Sequence, residues 1–142
     1  MQRGFLMKAT ADANIFFSAL IKDSMTRKIW FNPEIELFSP KFLLFEFKKY
    51  SDYVEKKSRL NKTEFWLLSE KLLSQIHFVE DQELKPYLPA AATLSTDPKD
   101  WLYIACALKE DTIIWSNDKG MKNQQRIKAL STQEMQKEFG LL

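Results

Sequence analysis

Short apolar runs alternate along this chain with longer stretches in which apolar residues recur every three or four positions, the pattern of strands interleaved with amphipathic helices. Leu6 to Ala11 is predicted as a strand ending at Asp12, and Ile15, Phe16, Ala19 and Leu20 follow with helical spacing. Met25 to Phe31 reads as a second short helix stopped by Pro33, and Ile35 to Phe38 as a strand bounded by Ser39-Pro40. From Lys41 to Lys57, the residues Phe42, Leu43, Phe47, Tyr50, Tyr53 and Val54 fall on one helical face, with Lys48, Asp52, Glu55 and Lys56 elsewhere. Thr63 is expected to cap the next helix, which runs to Ser74, and Ile76 to Val79 forms a third strand. Gln82 to Leu94 reads as a short helix interrupted by Pro86 and Pro89. Asp97-Pro98 joins a cap residue to a proline at the first helical position, opening a helix with Trp101, Leu102, Ile104, Ala105 and Leu108 on it. Thr112 to Trp115 is a β-branched, aromatic strand and Asn117 to Asn123 a polar turn or short helix. Ile127 to Leu130 makes a last strand, and Ser131 to Phe139 a final helix closed by Gly140.

This order predicts an α/β protein, layered helix on sheet on helix, with a central and mainly parallel sheet of about five strands. Neither an internal repeat nor a linker divides residues 1–142, so a single domain is expected, with residues 1–6 read as an extension before the natural start at Met7-Lys8. At this length folding can bury roughly 70% of the surface of the unfolded chain. Hydrophobic residues at 45%, including eleven Phe and four Trp, suffice for that core, and three Gly with five Pro argue against a loop-rich chain. In parallel sheets ligands bind at the carboxyl ends of the strands, and Asp12 and Asp118 lie at two such ends.

The remaining composition narrows the chemistry. Cys106 is the only cysteine and His77 the only histidine, so one chain cannot build a disulfide framework, a thiolate zinc site or a paired-imidazole hydrolase. Cys106, between two alanines, reads as a small buried residue, and His77 has no catalytic role. The opening residues lack the apolar core of a signal peptide and no run is long enough to span a bilayer, so a cytoplasmic protein without membrane contact is expected. The formal charge of +2 does not by itself declare a nucleic-acid binder.

Four carboxylates stand where apolar residues would be more comfortable. Asp12 follows the first strand; Glu46 has Phe42, Leu43, Tyr50 and Tyr53 as helical neighbours; Asp100 has Tyr103, Ile104 and Ala107; Asp118 follows Ile113, Ile114 and Trp115. Each has an ordinary structural explanation: a helix cap for Asp12, a pairing with Lys49 for Glu46, a first-turn acid for Asp100 and a turn residue for Asp118. Asp97 is explained as a cap in its own right. The conjunction points elsewhere, because a parallel sheet can bring all four together and inward carboxylates require a counter-charge. Hard oxygen donors without fixed nitrogens suit Mg²⁺ or Mn²⁺, and such an ion supports phosphodiester hydrolysis without histidine.

Taken in order, Asp12-Ala13-Asn14 after a strand, the inward Glu46, the run Asp100-Trp101-Leu102-Tyr103-Ile104-Ala105-Cys106-Ala107-Leu108 and the segment Trp115-Ser116-Asn117-Asp118-Lys119 resemble a PIN domain over nearly the whole chain. The resemblance implies a five-stranded parallel sheet between helices and a metal-dependent ribonuclease similar to the VapC toxins of toxin–antitoxin pairs. It makes Asp12, Glu46, Asp100 and Asp118 the catalytic and metal-ligating quartet, with Asn14, Ser116 and Asp97 supporting them. It also implies a homodimer and a small antitoxin that blocks the site. Two departures are Ala9-Thr10-Ala11, less apolar than the usual strand before the first acid, and Lys119-Gly120-Met121 where an aromatic often follows the fourth acid.

The function expected is therefore endonucleolytic hydrolysis of RNA. Lys119 and Lys122, beside the fourth acid, are the expected contacts to RNA phosphates, while Lys48, Lys49, Lys56, Lys57, Arg59 and Lys62 read mainly as a solvated face. Trp66 and Trp101 are expected in packing rather than base stacking. Two alternatives compete: a phosphatase or phosphotransferase with Asp12 as nucleophile, against which Asn14 stands where a proton-donating acid is needed, and a non-catalytic RNA-binding module.

Overall fold

The computed structural model describes residues 7–21 and 25–138. The predicted extension, the strand start at Leu6 and the closing Phe139-Gly140 lie outside the described residues. The strands are β1 (Met7–Ala11), β2 (Ile35–Pro40), β3 (Ile76–Val79), β4 (Ile113–Trp115) and β5 (Ala129–Leu130). The longer helices are α1 (Ala13–Ile21), α3 (Phe42–Ser58), α4 (Lys62–Ser74) and α7 (Pro98–Glu110). Shorter ones are α2 (Met25–Trp30), α5 (Asp81–Leu84), α6 (Leu88–Leu94), α8 (Lys119–Asn123) and α9 (Thr132–Glu138).

All five strands are parallel, in the order β3-β2-β1-β4-β5. Right-handed crossovers from β1 out to β3 place α1 to α4 on one face, and the return from β3 to β4 places α5 to α7 on the other. The packing agrees: α1 lies against α2, α3 and α4, whereas α7 lies against β1, β2 and β4. Side chains alternate accordingly. Thr10 turns to α7, its hydroxyl within 3.6 Å of the Cys106 sulfur and 2.7 Å from Thr112 Oγ1. The next residue, Ala11, and its register partner Trp115 turn to the other face. There Trp115 meets Trp30 and donates to Thr132 Oγ1, and Trp30 meets Phe16 and donates to the Leu72 carbonyl. The polar Thr10 is thus satisfied inside the core. Burial pushes the Cys106 thiol up to about 12, so it packs as an inert small residue.

Three local expectations need correction. The cap of α4 is Asn61 and not Thr63: Asn61 accepts from the Glu64 amide at 2.8 Å and Glu64 accepts from the Asn61 amide at 3.0 Å, a reciprocal capping box. Pro86 and Pro89 do not interrupt one helix; each falls in the first turn of a new segment, a 3₁₀ turn over Lys85–Tyr87 and then α6, where the missing amide costs nothing. On α3 the buried residues are Leu43, Phe47, Val54 and Ser58, while Tyr50 and Tyr53 remain 38% and 60% exposed. The sequence stripe is wider than the face the core covers.

Candidate active site

The chain leaves β1 toward β2 on one side and leaves β4 toward β5 on the other, so the gap between β1 and β4 is the topological switch point of the sheet. Asp12 and Ser116 follow those two strands directly. The Asp12 amide donates to the Trp115 carbonyl at 3.3 Å, and the Ser116 amide to the Leu130 carbonyl at 3.0 Å. Asp12 is a cap as well, its Oδ1 accepting from the Ile15 amide at 3.0 Å. Its carboxylate is nevertheless buried, and burial pushes its pKa up to about 6, with the charges of Asp100 and Asp118 adding to the shift. The Ser116 hydroxyl and the Ile15 amide oppose it without cancelling it.

Asp100 comes from the first turn of α7. Asp97 caps that helix by accepting from the Lys99 amide at 3.0 Å, and Ser95 donates to Asp100 Oδ2 at 2.9 Å. Burial raises the Asp100 pKa, helped by Asp118, Asp97 and Glu46 and opposed by Ser95. Glu46, in the second turn of α3, accepts from the Tyr103 hydroxyl at 2.5 Å rather than pairing with Lys49. Burial and that neighbouring carboxylate hold the Tyr103 phenol far above the usual tyrosine range, so it stays a hydrogen-bond donor. Asp118 is exposed and caps α8 through the Gly120 amide at 3.2 Å, while its own amide donates to the Ser116 hydroxyl at 3.0 Å.

The four acids line one cleft of about 310 Å³, together with Asn14, Asp97, Lys99 and Tyr103. Lys99 is the one basic residue of that lining among the described residues. Lys119 and Lys122 do not line it, and Lys122 is engaged by Glu134, which that contact holds down at a pKa of about 2. Three lining or bracing residues escaped the sequence reading: Lys99, Tyr103 and Ser95. Their signal is spacing, since Lys99 adjoins Asp100 and Tyr103 lies one helical turn beyond it.

Like charges pressed together in a cleft with one lysine favour a cation. Among the described residues no three acidic, His or Cys side chains already form a metal cage. The carboxylate oxygens of the lining fit a hard divalent ion all the same, because Mg²⁺ keeps several waters and needs only one or two carboxylates.

A family model described as PIN domain matches residues 11–140, and the chain belongs to that family. The match agrees with the all-parallel five-stranded sheet flanked by helices. PIN domains are generally nucleases, and they typically use divalent metals. A search of the curated proteins finds no match to the chain. Among the described residues no helix is long and apolar enough to cross a membrane.

Proposed function

We propose that this protein is an endoribonuclease that depends on Mg²⁺ or Mn²⁺, with Asp12, Asp100 and Asp118 holding the ion and Glu46 either helping to hold it or positioning the attacking water. The observation that carries the reading is the shared cleft at the switch point, where Asp12 is pressed toward protonation by burial and by two other acids. A bound divalent ion would offset that repulsion, ease deprotonation of water and neutralise charge on the phosphodiester. The chain's own groups supply the rest. Tyr103 holds Glu46 as a fixed acceptor, Ser95 and Ser116 orient Asp100 and Asp118, and Lys99 offers an ammonium to the phosphate. Phosphotransfer through Asp12 is disfavoured, because Asn14 lines the same cleft and has no proton to give a leaving group. A toxin–antitoxin pairing, a homodimer and a cytoplasmic location remain expectations of the sequence, outside this reading.

The test is cleavage of a labelled RNA by the purified protein, with Mg²⁺ or Mn²⁺ and with a chelator, alongside the Asp12→Asn variant. Cleavage is expected only with metal and only in the wild type, with the variant folded by circular dichroism. A variant that cuts as fast as the wild type removes Asp12 from the chemistry and the reading with it.

A further inference from the structure

The four acids are not held alike. Asp12 and Asp100 are buried, and Glu46 is fixed by the Tyr103 hydroxyl, whereas Asp118 is exposed on the turn between β4 and α8. Its carboxylate accepts a local bond from the Gly120 amide at 3.2 Å. The helix it caps is five residues long with one buried side chain, Met121. So short a segment does not fix its own place.

The turn is met from two sides by the start of α9. Before Asp118, the Asn117 Oδ1 accepts from the Thr132 amide at 2.8 Å. After it, the Lys122 ammonium pairs with the Glu134 carboxylate. α9 is itself rooted. Met135 is buried, the helix packs on α2 and β5, and the Thr132 hydroxyl accepts from Nε1 of Trp115, a side chain of the core. Thr132 thus gives its hydroxyl to the core and its amide to the turn. Glu134 is also fixed: it accepts from the Ser131 amide at 2.9 Å, and the Ser131 hydroxyl accepts from the Glu134 amide at 3.2 Å, a reciprocal capping box. The Lys122 and Glu134 side chains are 35% and 42% exposed, and a pair so open to water adds little to stability. Neither Asn117 nor Lys122 lines the acidic cleft. What the two contacts share is the acid that lies between them.

We propose that the start of α9 is a clamp that positions Asp118 as a metal ligand, with Asn117 and Lys122 as positioning residues held by Thr132 and Glu134. The proposal rests on the nuclease reading, in which Asp118 helps to hold the ion, and gives residues outside the cleft a part in that site. A ligand has to be held to within about 0.5 Å, and loss of a partner that orients one typically weakens metal binding about 10- to 100-fold.

The experiment reads metal affinity, by calorimetric titration of Mn²⁺ into the full chain without RNA. Asn117→Ala and Lys122→Met are each expected to weaken binding about 10- to 100-fold. Glu134→Gln, which keeps an acceptor for the Ser131 amide but loses the ion pair, should match Lys122→Met. Neither single variant should lose more than Asp118→Asn does, and in the Asp118→Asn background neither should lose anything further, because the clamp acts through that carboxylate. Unchanged Mn²⁺ affinity in Asn117→Ala and Lys122→Met overturns the proposal. So does a loss that persists in the Asp118→Asn background, the mark of a general structural role. Clamp-dependent Mn²⁺ binding by a protein that does not cut RNA keeps the clamp and sinks the nuclease. Metal-dependent cleavage with affinity indifferent to Asn117 and Lys122 does the reverse, and a wild type that binds no Mn²⁺ ends both.

Discussion

At the amino end of its strands the protein has a cavity of about 780 Å³, lined by Lys8, Arg126 and Lys128 beside Met7 and Ile113, whereas the acidic cleft at the carboxyl end has less than half that volume. At the amino end both lysines have partners. Lys8 Nζ donates to the Glu110 carbonyl at 2.6 Å and lies 5.2 Å from the centre of the Phe38 ring, and Lys128 pairs with Glu138 at 3.2 Å. At the carboxyl end five carboxylates meet hydrogen-bond donors and one lysine. Volume alone would choose the amino end, whereas a candidate active site is better marked by charge that the fold has left incompletely compensated.

The widest separation between the ends should appear in rate. Glu46→Gln is expected to slow RNA cleavage by roughly 10²- to 10⁴-fold, the range for removing a positioned acid or base, while Arg126→Ala across the sheet leaves the rate unchanged. Matching losses from the two substitutions would erase the distinction.

Next in size is an effect on stability. Burial and neighbouring acids raise Asp12 from 3.8 to about 6. The folded state therefore holds that proton more tightly than the unfolded one, so the contribution is fully present below pH 4 and is lost as pH rises through 6. At pH 7 without metal the ionised carboxylate costs about 3 kcal/mol, and Asp12→Asn should stabilise the protein by an amount of that order. Urea unfolding in chelator at pH 7 and pH 5 measures it: the advantage of the variant should shrink at the lower pH, and adding Mg²⁺ at pH 7 should favour the wild type. An advantage that grew on acidification would mean that Asp12 is stabilised as an anion, contrary to the asymmetry drawn here.

The smallest change belongs to the amino end. Asp111 ends α7 with φ of 55°, a left-handed conformation that costs a non-glycine residue energy. Asp111→Gly is expected to add about 0.5 to 1 kcal/mol of stability and leave cleavage untouched. A shift in cleavage rate would show that the two ends communicate through α7.

Much of this architecture could be read before any coordinates. Strands and helices carry distinct periods, Asp97-Pro98 announces a helix start, and inward acids stand out against apolar neighbours. What escaped is decided between elements. Choosing Asn61 over Thr63 depends on the reciprocal bond with Glu64, since both residues are plausible caps. Tyr50 and Tyr53 fit the helical stripe, yet no element covers them, and periodicity does not count coverage. Lys122 adjoins the fourth acid in sequence but is claimed by Glu134, twelve residues on. Lys99, by contrast, reads as an exposed first-turn residue until α1 and α3 are seen to bring the other wall of the cleft to it.

The Tyr103–Glu46 bond joins α7 to α3, helices that belong to opposite faces of the sheet. It needs no metal and no other acid. The two walls of the cleft are thus tied together by the chain's own side chains. On the proposed nuclease reading, a copy disarmed at Asp12 would keep its grip and act as a decoy, sequestering the strands that an intact copy would sever.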